Sequence, residues 1–417
     1  MNILKLIANK TPYHPRGLLR TVHILLATAV LLIGVAYPCG AAARGKHVHK
    51  YKLKSTSCKS GMQTFQCSCG KTKKNRCKKG HDYRQVKEGL YTAEKCKNCG
   101  QVKKKYLSKD IPTYWDSTIS KAIKTAKARS NLPGYVFITD PHWEKNAGQS
   151  PAIVNYVTRQ MGYSYAVCGG DIVTGCYDKK QDAIEEIKDF YDKFSVPVLT
   201  VMGNHDANRN GNSNPNTFLS TYDINKQMYA HNPPGSHMSN GGDFAYNDDG
   251  KHKVRYISFY FDDTEEVSSD VIGSIGRAET SLDADWSVVL LSHAYWHYAH
   301  PGDAPYAKPE AKQLAAKLLD IQAHSDATIV LWHVGHIHRD KHDLLSDGQG
   351  NHILVVSTNC DAYGKSTCWG GLAMSKGTVT EQVVEIVQID KSIGKIYMTR
   401  IGAGKSRSFS IERKPDG

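Results

Sequence analysis

Val198-Leu199-Thr200-Val201-Met202-Gly203-Asn204-His205-Asp206 reads as an apolar strand that stops abruptly on a polar cluster. The same pattern recurs on both sides of it. Upstream, Val136-Phe137-Ile138 runs through Thr139 into Asp140-Pro141-His142, and Tyr165-Ala166-Val167-Cys168 runs into Gly169-Gly170-Asp171. Downstream, the strand Trp286 to Leu291 leads to His293, and Ala327 to Trp332 leads to Gly335-His336-Ile337-His338. Helices fit between these strands at 151–161, 180–194 and 308–323. An earlier amphipathic helix between Lys109 and Pro133 is marked by Trp115, Ile119, Ala122, Ile123 and Ala126 at spacings of mostly three and four. Strands alternating with helices make an α/β domain, and such domains place ligands at the carboxyl ends of their strands. Five loops are therefore expected to build one site. Val383 to Asp390 and Lys395 to Ile401 alternate as a hairpin around Lys391-Ser392-Ile393-Gly394 and are expected to complete a second sheet.

The five clusters supply aspartate, histidine and asparagine but no cysteine, a donor set suited to manganese, iron or zinc. Two-metal phosphoryl sites hold their ions about 3.5–4 Å apart, which a shared carboxylate can do. A single strand-end histidine such as His293 is ordinarily structural, and Asn204 after a glycine is ordinary turn chemistry. The other clusters are what turn both into ligands. His297, His300 and His333 fall outside the motif positions and read as exposed or packing residues. Gly169-Gly170 is no nucleotide fingerprint; it gives the backbone room beside Asp171.

In this series the chain resembles the calcineurin-like metallophosphoesterase family, whose Asp-x-His, Gly-Asp, Gly-Asn-His-Asp/Glu, His and Gly-His-x-His motifs it matches in order over about Tyr114 to Glu412. The resemblance implies a four-layer α-β-β-α sandwich. It implies that Asp140, His142 and His338 hold one divalent ion, that Asn204, His293 and His336 hold a second, and that Asp171 bridges them. It further implies in-line attack on phosphorus by a metal-bridging water or hydroxide. His205 would stabilise the phosphoryl group or protonate the leaving oxygen, with Asp206 orienting it. The purple acid phosphatases, a related branch, place a tyrosine three residues after the bridging aspartate, where this chain has Thr174, and lack the histidine supplied here by His142. The site is thus more similar to phosphodiesterase-type members. Asn208 to Gly242, rich in Asn, Gly, Ser and Pro, reads as a long loop over the site where substrate choice is made.

The rest of the chain differs in character. Met1 to Ala43 carries four Lys/Arg and no acid, and its apolar run from Ile24 to Tyr37 is followed by Ala41-Ala42-Ala43, the pattern of a signal peptide, or of a signal anchor if it stays uncleaved. Cys39 lacks the setting of a lipidated cysteine. Residues 44–110 carry twenty Lys/Arg against four Asp/Glu, whereas the remainder is mildly acidic, so the overall +14 comes from the N-terminal quarter. That basic stretch also holds six of the eleven cysteines in a doubled unit. His49 to Tyr51 precedes Cys67-Ser68-Cys69-Gly70, as His81 to Tyr83 precedes Cys96-Lys97-Asn98-Cys99-Gly100. Cys77, His81, Cys96 and Cys99 make a three-cysteine, one-histidine zinc set. In the first copy Cys67 and Cys69 draw their partners from Cys58, His47 and His49. Structural zinc in zinc-ribbon-like repeats is the expectation, with disulfides as the open alternative.

These readings divide the chain into 1–43, 44–110 and a metallophosphoesterase domain over 111–417. Together they point to a secreted or cell-surface hydrolase of phosphate monoesters or diesters, membrane-anchored only if the signal is retained. The basic segment suits an anionic surface polymer. Its sparse aromatics make no stacking platform for single strands, which counts against nucleic acid without excluding it. Two other classes stay open: a surface polyanion-binding protein with an idle phosphoesterase domain, and an extracellular nuclease. A disulfide is expected between Cys360 and Cys368 but not between Cys168 and Cys176.

Overall fold

The computed structural model describes residues 48–129, 131–210, 213–261, 267–294, 309–365 and 371–411, so the N-terminal apolar run, Cys39, His47, His297, His300 and Cys368 lie outside the described residues. The chain divides into two compact units at Gly80/His81. In the first, β1 (Tyr51–Ser57), β2 (Met62–Cys67) and β3 (Thr72–Arg76) form an antiparallel meander. The second unit begins with a meander of the same design, β4 (Tyr83–Glu88), β5 (Tyr91–Cys96) and β6 (Val102–Tyr106). The division falls inside the basic stretch because this second meander has a hydrophobic attachment. Leu90, Tyr91 and Leu107 pack into the core around α1 (Asp116–Lys127) and α2 (Ser150–Met161), and Tyr156 donates its hydroxyl to the Leu90 carbonyl.

Two sheets form the body of the second unit. One contains β7 (Gly134–Ile138), β8 (Ala166–Cys168) and β9 (Val198–Thr200) in parallel, extended on the other side of β7 by β17 (Val383–Asp390), β18 (Lys395–Gly402) and β19 (Arg407–Ser410). The other runs in the order β10 (His237–Met238), β11 (Phe244–Asp249), β12 (Val254–Phe259), β13 (Ser287–Leu291), β14 (Thr328–Val334), β16 (His352–Ser357), β15 (Lys341–Ser346). Alternation along each strand sorts the side chains into layers. Val136 and Ile138 of β7 face α1, α2 and α3 (Lys180–Asp192), whereas Tyr135 and Phe137 face the opposing sheet. Val288 and Leu290 of β13 face α5 (Ser269–Thr280) and α6 (Pro309–His324), whereas Val289 and Leu291 point inward. The result is an α-β-β-α sandwich with three apolar layers.

Two expectations change. The β17–β18 hairpin completes no separate sheet; it joins the sheet of β7, pairing Glu385 with Phe137 and Ile386 with Val136. The stretch 208–242 is not all loop. It contains α4 (Thr221–Met228), seated by the buried Leu219, Ile224 and Met228, whose apolar spacing is easily overlooked among the surrounding polar residues.

A buried ionic cluster ties the sheets together behind the site. Glu385 of β17 receives Arg400 Nη2 at 2.7 Å and Arg407 Nη2 at 3.1 Å, and Thr358, just after β16, donates to it at 2.6 Å. His333 of β14 lies flat on Phe137, with ring centroids 3.6 Å apart, and exchanges hydrogen bonds with Tyr135 and Thr358. It is thus a packing histidine. Burial alone would raise the Glu385 pKa, but Arg400 and Arg407 hold the carboxyl well below the usual carboxylate range. Breaking a buried pair leaves an uncompensated charge, so Glu385→Gln should cost about 3–5 kcal/mol in denaturant unfolding. Because the folded-state pKa is depressed, this stabilisation is present at neutral pH and lost as pH falls towards the folded value, a dependence that Glu385→Gln should flatten.

Candidate metal centre

Each expected site residue follows a strand: Asp140 and His142 after β7, Asp171 after β8, Asn204 to Asp206 after β9, His293 after β13, His336 and His338 after β14. The structure brings them together from both sheets. The backbone there is unusual, because Asp140, His142, Asp171, His336 and His338 all have positive φ, between 36° and 67°. Non-glycine residues take that conformation at a cost, which surrounding bonds must offset. Close approach adds a second constraint. A Cβ on Gly203 would stand 2.2 Å from Asp171 Oδ1, and one on Gly170 would stand 2.9 Å from His293 Nδ1.

Backbone carbonyls fix the histidine rings. His142 Nδ1 is 3.1 Å from Val173 O, His293 Nδ1 is 2.8 Å from Gly169 O, and His338 Nδ1 is 3.1 Å from Lys365 O. Donating Nδ1–H outward leaves the Nε2 lone pairs facing inward, the arrangement metal-ligating histidines use. His142 Nε2 and His338 Nε2 then face each other at 3.3 Å. Were both rings neutral, they would present two acceptors and no donor between them. A bound cation would supply what is missing; without one a proton on His338 does so, since against the effect of burial Cys360 and Asp140 raise its pKa well above the usual imidazole value. His293 Nε2 is fully buried, 3.1 Å from Asp171 Oδ2, and makes no hydrogen bond of acceptable angle. His336 differs, with Nδ1 3.1 Å from Asn204 Oδ1.

Two groupings share Asp171. Its carboxylate lies within 4.8 Å of ligand atoms of His142 and His205 in one, and of His293 and His336 in the other. Asp140 faces His338 Nε2 at 3.3 Å and His293 Nε2 at 3.8 Å. Burial opposes charge on Asp140, yet His293 and His338 hold its pKa at about 2. Burial likewise opposes protonation of His293, but Asp171 and Asp140 push its pKa up to about 10. Without metal, the imidazolium therefore does the charge balancing that a dication would do. Carboxylates, imidazoles and an amide oxygen fit divalent ions of the manganese, iron or zinc type.

The orientation of His205 corrects an expectation. Its Nδ1 bonds to Thr174 O at 2.6 Å, and Thr174 is itself held by Glu144, which accepts from its N–H at 2.8 Å and from its hydroxyl. Asp206 instead accepts the amides of Gly203, Ile172, Asp171 and Val173 at 2.8, 2.7, 3.1 and 3.3 Å. It ties the loop after β9 to the loop after β8. Burial, with repulsion from Asp171, pushes its pKa up to about 7. His205 keeps 19 % of its side chain exposed, whereas Asp140 and Asp171 keep 1 % or less. Motif reading missed Glu144 and Cys360, which stand outside the series; Cys168, Cys176 and Cys360 are free thiols.

The cysteine repeats gather as well. In the first unit His49, Cys67 and Cys69 place ligand atoms within 4.8 Å of one another, with Cys69 Sγ 3.2 Å from His49 Nδ1. In the second, His81, Cys96 and Cys99 do the same, with Cys99 Sγ 3.3 Å from His81 Nδ1. Cys58 and Cys77 belong to the first unit. Burial would raise the Cys96 thiol, but the amides of Cys99 and Asn98 and the His81 ring bring its pKa down to about 5. That is the environment of a thiolate ligand.

Comparison with known proteins agrees with this chemistry. Residues 135–340 match the family model for calcineurin-like phosphoesterase, a span that contains all nine motif residues from Asp140 to His338. No curated protein sequence matches the chain. Among solved structures the chain is similar to a dimetal phosphatase from Danio rerio, at 11% identity over 67% of this chain and 99% of that one, with a TM-score of 0.47. It is also similar to a purple acid phosphatase from yellow lupin, Lupinus luteus, at 11% identity over 84% of this chain and 59% of that one, with a TM-score of 0.40. Residues 135–340, just under half of the chain, thus carry the calcineurin-like phosphoesterase pattern, and they are the stretch that builds the site described above.

Proposed function

We propose that the chain hydrolyses a phosphate monoester or diester outside the cytoplasm. One divalent ion would be held by Asp140, His142, Asp171 and His338, and a second by Asp171, Asn204, His293 and His336. The observation that carries this reading is the membership of Asp171 in two separate ligand groupings. When bound, two such ions activate water and neutralise phosphoryl oxygens, so no covalent nucleophile is needed. The chain's own residues do the rest. Asp171 Oδ1 accepts the His205 amide at 2.9 Å and so fixes the start of the loop that presents the His205 ring. With Nδ1 held by Thr174, the His205 Nε2 stands 3.8 Å from Asp171 Oδ2 on a partly exposed ring, placed to give a proton to the departing oxygen. Export is supported by the basic, then apolar, then small-residue order of the first 43 residues.

The two cysteine–histidine clusters are assigned to structural zinc, and the +16 stretch around them to an anionic surface polymer. The test is metal analysis of the purified chain with a panel of phosphomonoesters, phosphodiesters, cyclic nucleotides, nucleic acids and wall-polymer fragments. Two catalytic ions per chain and turnover of at least one ester class are expected. No hydrolysis under manganese, iron or zinc would sink the proposal.

A further inference from the structure

Beside the first ion position stands a residue outside the motif series. Cys360 follows β16 and is fully buried. Its sulfur lies 3.1 Å from Asp140 O and accepts the Ala362 amide at 3.3 Å. That sulfur and ligand nitrogens of His142 and His338 all lie within 4.8 Å of one another. We propose that Cys360 is a further ligand of the ion held by Asp140, His142 and His338, an inference that rests on the metal-site reading above.

The Nε2 atoms of His142 and His338 face each other at 3.3 Å and the sulfur stands within reach of both rings, so the cysteine joins ligand atoms that already converge. The Ala362 amide supplies a hydrogen bond suited to a sulfur anion. On ligation the S–H proton leaves to solvent, the bond to the Asp140 carbonyl is given up, and the ion takes the sulfur's electron pair; no electron is transferred. One thiolate makes this position softer than its neighbour, whose donors are Asp171, Asn204, His293 and His336. Softer donors select zinc or iron over manganese. The two positions would therefore differ in metal preference, the cysteine-bearing one resisting manganese exchange.

The test uses the full chain loaded with cobalt(II). Wild type minus Cys360→Ser should show a thiolate-to-cobalt charge-transfer band in the near ultraviolet, since the cysteines of the repeats contribute equally to both. Affinity at one of the two catalytic positions should fall tenfold or more in the variant while the other keeps its ion. Identical spectra and titrations would overturn the inference. Should Cys360→Ser not fold, a crystal structure of the cobalt-loaded wild type decides: a metal–sulfur distance of about 2.3 Å supports it. Sulfur still on the Asp140 carbonyl beside a bound ion, or bonded to Cys368, overturns it alone. Absence of any ion between Asp140 and His142 overturns the metal-site reading as well.

Discussion

Replacing Asp171 with asparagine should lower kcat by about a thousandfold or more and reduce the catalytic metal content below two ions per chain. Metal-assisted charge neutralisation supplies several kcal/mol to phosphoryl transfer, and each 1.36 kcal/mol corresponds to about tenfold in rate. The geometry explains why this one carboxylate matters so much. Oδ2 is 3.1 Å from His293 Nε2 and 4.0 Å from His142 Nε2, so the group faces one histidine of each proposed ion position. Asparagine can still accept the His205 amide through its single oxygen, which preserves the loop, but it offers an NH2 where a second anionic oxygen is needed. Steady-state kinetics beside elemental analysis reads both consequences. Full metal content with unchanged kcat would show that Asp171 is not shared.

The second large effect belongs to His205. His205→Asn should lower kcat by about 10²–10⁴ for esters with poor leaving groups, the usual worth of a general acid. Esters of acidic phenols, whose leaving oxygen needs no proton, should lose far less, and both ions should remain bound. A leaving-group series on wild type and variant separates proton delivery from simple damage. An equal loss across the series would point to phosphoryl binding instead. A milder version is expected from Glu144→Gln, because Glu144 holds Thr174 and Thr174 holds the His205 ring.

Much of this centre was legible in the sequence. An apolar run that ends on Gly-Asn-His-Asp announces both the strand and the polar residues at its end, and five such runs in order leave little freedom in how they assemble. The helices at 151–161 and 180–194 were legible for the same reason, namely apolar periodicity bounded by turn residues. The partners of the side chains were not. Asp206 sits next to His205 in sequence, yet its carboxylate turns to four amides of its own and the preceding strand-end loop. The carbonyl that aims His205 comes from Thr174, more than thirty residues away. Backbone carbonyls carry no residue-type signal, so no motif can reveal them. The sheet joined by the β17–β18 hairpin was hidden likewise, since strand alternation states which face is buried but not which edge is met.

The tethers of the histidine rings carry one more implication. His293 leans on Gly169, His142 on Val173 and His205 on Thr174, so imidazoles arriving on three different strands all take their bearings from the six residues between Gly169 and Thr174. That short segment works as a common datum for the rings of both proposed ion positions and of the proposed proton donor. A displacement of that segment would move all three rings together. The same coupling limits redesign. An engineer who wants to alter one position while sparing the other must work through the rings referenced elsewhere, His338 on Lys365 and His336 on Asn204.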